Sequence, residues 1–394
     1  MRKGWTETTL GEVLNLLTDG SHFSPISVED GMPYVTVRDV ANGKINTTSC
    51  ARISSDSFDE LVKNGCAPEI GDVLFSKDGT VGRVALVVEG PKFVVLSSLA
   101  ILRPNPKLVS SEFLALSLSS DEFQAAATGS KTGLAIKRVV LKVLRALEFK
   151  FPSLPKQKRI VDVVSSVDAY IDALQQQADT ARTARNAVLH KLLSTGGDDW
   201  TEATLGGVAV FYNGKAYKQD ELLAAGKYRV LRVGNFFSNG SWYWSDLELD
   251  ANKYCDNGDL LYAWSASFGP RIWTDEKVIY HYHIWKVEEN PLLVEKKFLY
   301  YWLEDDVQRM KRDAGTGSIM MHITKGEIEA RTIALPPLDE QRRIVEIVSS
   351  MDEMVQSTKQ SVLEAKNLRS GLLSDLLSGE HEIPESYDRF LKAA

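Results

Sequence analysis

The chain has few cysteines, no long apolar run and no surplus of positive charge, and each shortage removes a class of protein. Its 394 residues include three cysteines, Cys50, Cys66 and Cys255, with no CxxC pair. An odd, widely spaced set fits neither a disulfide framework nor a zinc site, so they read as reduced thiols. The longest apolar stretches, such as 84–88 and 93–102, fall short of the roughly 18 residues a membrane span needs. The N-terminus turns polar and acidic at Thr6-Glu7, where a signal peptide would carry its apolar stretch, so a cytoplasmic, membrane-free protein is expected. The 46 Lys and Arg against 53 Asp and Glu give a net charge of −7, which disfavours a stand-alone nucleic-acid binder because phosphate contacts need local positive charge. Catalytic frames are also missing. No GxxxxGK[ST], no GxGxxG after a strand, no HExxH and no Asn/Asp-Pro-Pro-Tyr/Phe methyltransferase motif occurs, leaving nothing that reads as an active site. His281 and His283 sit two apart on a predicted strand. Without a third ligand nearby, a packed or hydrogen-bonding role outweighs a metal pair.

What the chain does contain is a second copy of its own frame. Residues 5–13 (WTETTLGEV) return as 200–208 (WTEATLGGV), identical at seven of nine positions. Residues 152–168 (PSLPKQKRIVDVVSSVD) return as 336–352 (PPLDEQRRIVEIVSSMD) with ten identities in seventeen. Between these anchors the copies diverge, apart from an echo of Gly71-Asp72-Val73-Leu74-Phe75 in Gly258-Asp259-Leu260-Leu261-Tyr262. The order is variable, constant, variable, constant, which makes the repeat the first fact about the fold.

The constant regions carry a heptad seam. In the first, Ile160, Val164, Val167, Ile171, Leu174, Ala178, Ala181, Arg185, Val188 and Leu192 follow in steps of four and three. In the second, Ile344, Val348, Met351, Val355, Thr358, Val362, Ala365, Arg369, Leu372 and Leu376 do the same, with Arg on the same rung; this spacing predicts long helices. Pro155 and Pro337 precede them and Gly196 and Gly379 follow, as start and stop signals should. Each helix is expected to run about 37 residues, or ~55 Å. Packing of each helix on its own domain is the alternative to pairing. A short connection at 195–200 favours an antiparallel pair, which would hold the variable regions at opposite ends of a rod.

The variable regions alternate β-rich segments with turn residues: 33–37, 73–75, 83–88 and 93–102 in the first, 228–233, 260–264, 272–273 and 278–287 in the second. A helix is expected in each, over 112–127 and 296–312. Lys131, Lys137, Arg138, Lys142, Arg145, Lys150, Lys156, Lys158 and Arg159 form a basic stripe against the single Glu148, beginning in the loop ATGSKTG at 127–133 that includes Ser130. The second copy has AGTGS at 314–318, ending on Ser318, followed by His322 and Lys325. Such loops present backbone N–H groups and cations to phosphate, or are simply a solvated surface. Arg38 and Arg232 match at an offset of 194 and suggest either a shared salt bridge or a shared DNA contact. Lys77, Asp78 and Arg83 in one copy, and Tyr262, Trp264, Ser267 and Arg271 in the other, fall on a strand-loop-strand hairpin whose tip differs between copies, as a base-reading loop would. The many aromatics of the second region, such as Trp242 and Trp285, are core by base rate.

Trp-x-x-x-x-Leu-Gly at the head of each half, Pro-x-Leu-x-x-Gln-x-x-Ile-Val opening each helix, and Leu-Leu-Ser closing it at 192–194 and 376–378 resemble the specificity subunit of Type I restriction-modification enzymes. The resemblance implies an α+β fold, with two α/β target-recognition domains (1–151 and 196–335), a central helix region (152–195), a distal one pairing with it (336–380) and a tail (381–394). It implies a non-catalytic subunit in which each domain reads one half of a bipartite site on double-stranded DNA. The helices would set the spacer and dock two methyltransferase subunits, the docking and pairing residues being Ile160, Val164, Val167, Ile171, Leu174, Arg185, Ile344, Val348, Met351, Val355, Val362 and Arg369. Motor and nuclease subunits would join through the complex. No cofactor is expected on this chain; S-adenosylmethionine, ATP and Mg2+ would belong to the partners. A non-catalytic specificity subunit of a related restriction-methylation system and a protein-binding coiled-coil scaffold are the alternatives.

Overall fold

The computed structural model describes residues 4–129, 138–237, 240–265, 268–313 and 322–388. The chain divides into two compact units, Met1–Leu174 with Gln360–Ala394, and Gln175–Lys359. Each unit contains one variable region and part of each long helix.

In the first unit strand Trp5–Thr9 pairs antiparallel with Glu148–Pro152, Trp5 facing Pro152. This ribbon ties the head of the domain to its end, one step before the helix Leu154–Ser194. The main sheet has four antiparallel strands in the order Leu14–Asp19, Leu99–Pro104, Val73–Ser76, Val84–Leu86. A smaller sheet joins Ala51–Ile53, Ser27–Val35 and Val94–Val95, the last pair parallel. Strand Val73–Ser76 is buried throughout. Its successive side chains point to opposite faces, so Val73 and Phe75 pack toward the helices while Leu74 packs with Val35 and Val95 of the smaller sheet.

The second unit repeats this plan. Thr201–Thr204 pairs with Thr332–Leu335, and the main sheet runs Ala209–Asn213, Ile284–Glu289, Leu260–Ala263, Gly269–Ile272. The smaller sheet has four strands, Tyr243–Ser245, Tyr228–Leu231, Val278–Tyr280 and Tyr254–Cys255, the middle pair parallel. Cys50, Cys66 and Cys255 are buried, unpaired thiols.

Two departures from the sequence expectation have local causes. The predicted helix over 112–127 is two helices, Ser111–Leu118 and Asp121–Thr128, because Ser110 and Ser120 each accept a hydrogen bond from the backbone N–H three residues on, at Phe113 and Phe123. Its counterpart, Lys296–Asp313, is continuous. The predicted strands 93–102 and 278–287 each break in the middle, at residues 96–98 and 281–283, where the chain leaves the smaller sheet and enters the larger one.

Both long helices span 41 residues, Leu154–Ser194 and Leu338–Ser378. Pro155 falls in the first turn, where a missing N–H leaves no intrahelical bond unmade. In the first unit Ile160 and Val164 share a core with Leu373 and Leu376. In the second, Leu189 shares one with Ile344 and Val348. Low residue numbers of one helix therefore meet high numbers of the other, which is antiparallel packing in both units. Arg369 binds Asp168 in one unit and Arg185 binds Asp352 in the other, the same pair exchanged by the repeat. Toward the C-terminal ends Leu189 and Leu373 are buried where the expected Val188 and Leu372 are only partly covered, a one-residue shift, while Leu376 is buried as the seam expects.

Gln157 and Gln341 explain the polar letter in the motif that opens each helix. Both are fully buried. The Gln157 amide donates to the carbonyls of Leu108 and Pro152 at 2.7 and 2.8 Å, and its oxygen accepts from Ser110 N–H at 2.9 Å. Gln341 does the same to Leu293, Pro336 and Glu295. Each amide thus fastens a helix start to the loop leaving the main sheet. Gln157→Leu is expected to strand three buried backbone groups and to destabilise the first unit by about 2–4 kcal/mol, measurable as a lowered urea midpoint. An unchanged midpoint would remove the fastening role.

Candidate nucleic-acid interface

In an antiparallel sheet alternate strands begin and end at the same edge, and both main sheets gather their most divergent loops at one such edge. In the first unit the strands end at Asp19 and Ser76 and begin at Val84 and Leu99, so the loops after residue 19, after residue 76 and at 96–98 are neighbours. Ser97 N–H donates to Ser21 O at 2.8 Å, Lys77 N–H to Ser98 O at 2.8 Å and Val139 N–H to Lys77 O at 2.7 Å. The helix start at Gln157 meets Leu108 and Ser110, beyond the other end of strand Leu99–Pro104, so within the unit this edge faces away from the helix.

The second unit builds the same joints from different residues. Trp264 N–H donates to His283 O at 3.1 Å, Ile323 N–H to Trp264 O at 3.4 Å, and Lys215 bridges His281 as Ser21 bridges Leu96. Gly20 and Gly214 make the approach possible. A Cβ on either would lie 2.0 or 2.3 Å from the carbonyl oxygen of Val95 or Tyr280, a distance no larger residue tolerates. The backbone frame is repeated and the side chains on it are exchanged: Lys77 stands where Trp264 stands, Arg138 where His322 stands, and Leu96-Ser97-Ser98 where His281-Tyr282-His283 stand.

On the second unit these side chains form a ladder of rings. Trp264 stacks on Trp285 (centroids 5.7 Å apart, 20° between planes), and Trp285 stacks on the buried Tyr262. His283 and His322 meet Trp264 edge-on at 4.9 and 4.7 Å, and His281 lies between Tyr217, Tyr282 and His283. The Trp264 indole N–H donates to Tyr282 O at 2.8 Å, fixing the ring. Burial, then His283 and Arg232, push the His281 imidazole down to about 4, and burial followed by His322 lowers His283. His281 therefore enters the neutral pH range uncharged, able to donate and accept hydrogen bonds. Among the described residues no group of three His, Cys, Asp or Glu could hold a metal.

Of the residues expected at the interface, Lys77, Arg83 and Tyr262 are tied into the frame, while Arg271 and Lys325 stay at the surface with partners of their own. Lys77 is 3% exposed and its ammonium lies 2.9 Å from Asp19, a buried pair inside the frame. Arg83 donates to the carbonyls of Val37 and Val40 at 2.9 and 2.8 Å, bracing the turn that carries Arg38. Tyr262 is fully buried under the ring ladder. Arg271 is exposed on strand Gly269–Ile272, and its guanidinium donates to Phe236 O. Lys325 pairs with Glu329 at 3.5 Å within the short helix Lys325–Glu329. Arg38 is exposed and His322 is exposed beside Trp264. Arg38 and Arg232 are not equivalent. Leu96 N–H bonds Val35 O and His281 N–H bonds Leu231 O, which aligns Arg232 with Thr36, two residues before Arg38. Ser130, Lys131, Lys137, Ser267 and Ser318, with the loops around them, lie outside the described residues.

The expected docking residues are also placed. Ile160, Val164, Ile171, Ile344, Val348, Val355 and Val362 are buried, and Arg185 with them, while Val167, Leu174, Met351 and Arg369 are half-buried. Ile160, Val164, Ile344 and Val348 pack with the other helix and Arg185 and Arg369 bind its aspartates, so these six are taken up by the pairing.

A family model described as the Type I restriction modification DNA specificity domain matches the chain twice, over residues 2–181 and 197–367. The chain belongs to this family of specificity subunits. The MjaX specificity subunit assigned to a type I restriction enzyme of Methanocaldococcus jannaschii is 22% identical over 406 residues, covering 95% of this chain and 93% of that one. The EcoBI specificity subunit of Escherichia coli is 26% identical over 193 residues, 48% of this chain and 40% of that one. A chain from a structure of the complex assembly and conformational transition of the type I R-M system superposes with a TM-score of 0.60 at 19% identity, covering 95% of this chain and 98% of that one, so the fold is shared. Among the described residues no helix is long and apolar enough to cross a membrane.

Proposed function

We propose that this specificity subunit reads a bipartite site on double-stranded DNA, one half with the loop edge of each unit, as the non-catalytic member of a Type I restriction-modification complex. The observation that carries this is the exchange of chemistry on a fixed frame: Arg138 and Leu96-Ser97-Ser98 against His322 and His281-Tyr282-His283 at the same joints, with Trp264 standing where the first unit has the buried Lys77. Two different half-sites require two different readers on one scaffold. The helix pair sets the spacer between them and docks two methyltransferase subunits. Apolar side chains left outside the seam supply that surface: Tyr170, Leu363 and Leu368 on the first unit, Ile347 and Met354 on the second, each between 41% and 70% exposed. S-adenosylmethionine, ATP and Mg2+ act on the methyltransferase and motor subunits. Because residues 196–335 carry more acidic than basic side chains, the chain alone binds DNA weakly and partner subunits supply further phosphate contacts.

Trp264→Ala tests the reading. Removing the top of the ring ladder is expected to weaken binding of the complete complex to its methylated motif's duplex by about 2 kcal/mol, some thirtyfold, leaving affinity for unrelated duplex unchanged. Gel-shift titration measures both, and equal loss on both duplexes, or none, refutes a base-reading role for this edge.

A further inference from the structure

We infer that Arg232 reads a guanine in the half-site of the second unit, which rests on the DNA-reading role proposed above. Arg232 follows strand Tyr228–Leu231, beside the ladder, where Leu231 O accepts from His281 N–H. Its guanidinium carbon lies 4.2 Å from the centroid of the Tyr243 ring, a cation–π contact that holds the fork in place. The other arginines near the loop edge and in the core of this unit are spoken for. Arg229 pairs with Asp275 and Glu276, Arg309 and Arg331 with Asp306, and Arg271 with a carbonyl. Among the described residues the Arg232 guanidinium makes no ion pair and no hydrogen bond, and its Nε is buried without a partner. In a region with more acidic than basic side chains, an unneutralised arginine at the loop edge points to acceptors supplied from outside.

Two acceptors side by side suit a planar fork better than one. Guanine offers O6 and N7 in the major groove, which arginine meets with paired N–H bonds. A phosphate would also take the fork, but it would carry no preference for sequence. The first unit has Thr36 at the equivalent position, its hydroxyl bonded to Asp39, so this contact belongs to the second half-site alone.

The experiment uses the complex with its methyltransferase subunits. Methylome sequencing of cells carrying the wild type defines the bipartite motif, and Arg232→Gln is expected to relax one guanine in the half read by the second unit while the other half stays intact. In gel shifts, 7-deazaguanine at that position should weaken the wild type on the order of tenfold and leave Arg232→Gln unaffected. Arg232→Lys, which keeps the charge without the fork, serves if the glutamine variant does not fold and should also lose the preference. Uniform weakening across sequences with a shallower salt dependence, or a second half-site without guanine, overturns the proposal. A wild-type complex with no sequence preference would instead overturn the DNA-reading role itself.

Discussion

A chain lengthened by seven residues after Ala178 and by seven after Val362 is expected to modify a site whose two halves lie further apart, and to lose its original site. Seven residues add ~10 Å of helix, and a base pair occupies ~3.4 Å, so the spacer can grow by up to about three base pairs. A heptad preserves the phase of the seam, in which Ala178 and Val362 are both buried. The insertion points also fall between the two arginine clamps, Arg369 with Asp168 and Arg185 with Asp352, so neither clamp is broken. Each added base pair also turns the far half-site by about 35° around the duplex, one turn taking 10–10.5 base pairs. The gain is therefore a compromise between rise and rotation, and binding to the original duplex should fall at least a hundredfold, the loss of about one half-site's specific contacts at 1–3 kcal/mol each. Methylome sequencing of cells carrying the lengthened chain reads the new spacer directly. An unchanged spacer with normal methylation would show that the helices do not measure it.

The frame of this protein was legible because its copies agree. Trp5 and Trp200, Gln157 and Gln341, and the seam from Ile160 repeat at fixed offsets, and what repeats under divergence is what the fold requires. Side-chain direction was not legible at the loop edge. Strands Val73–Ser76 and Leu260–Ala263 are buried on both faces, so no polar alternation marks which residues point inward, and Lys77 and Tyr262 read as exposed tips. The carboxylate that neutralises Lys77, Asp19, lies on another strand, beyond the reach of any local pattern. The matched arginines misled for a related reason: a two-residue difference in spacing before the turn puts Arg38 and Arg232 on different steps. The ring ladder draws on four separate segments around Tyr217, Trp264, Tyr282 and His322, so His281 and His283 looked like an isolated pair.

Arg185→Met is expected to cost the second unit about 2–3 kcal/mol at pH 7.5, between a surface pair and a fully buried one, because the arginine is buried while Glu304 and Asp352 are 31% and 41% exposed. The Arg185 side chain is 5% exposed, 2.6 Å from Glu304 and 2.8 Å from Asp352. Its guanidinium also lies over the Tyr301 ring, whose hydroxyl donates to Asp352 at 2.6 Å. Methionine fills the space and leaves two carboxylates facing each other without a cation. Burial already raises the Glu304 carboxyl, and Arg185 pulls it back down. A carboxyl raised in the folded state favours folding when protonated, so its contribution is present at low pH and is lost as pH rises through the raised value. Removing Arg185 takes away the lowering influence and widens that window upward. The variant should therefore recover part of its loss between pH 7.5 and 5.5, while the wild type gains less over the same interval. Arg369→Met is the control. Arg369 is 25% exposed and its partner Asp168 44%, so its removal should cost about 1 kcal/mol, as for a partly solvated pair. Urea melts of all three proteins at both pH values decide the matter. Equal losses for the two variants, or no recovery of Arg185→Met on acidification, would mean that the Arg185 cluster is solvated enough to be a surface pair like its counterpart, and that the asymmetry between the two clamps has no energetic weight.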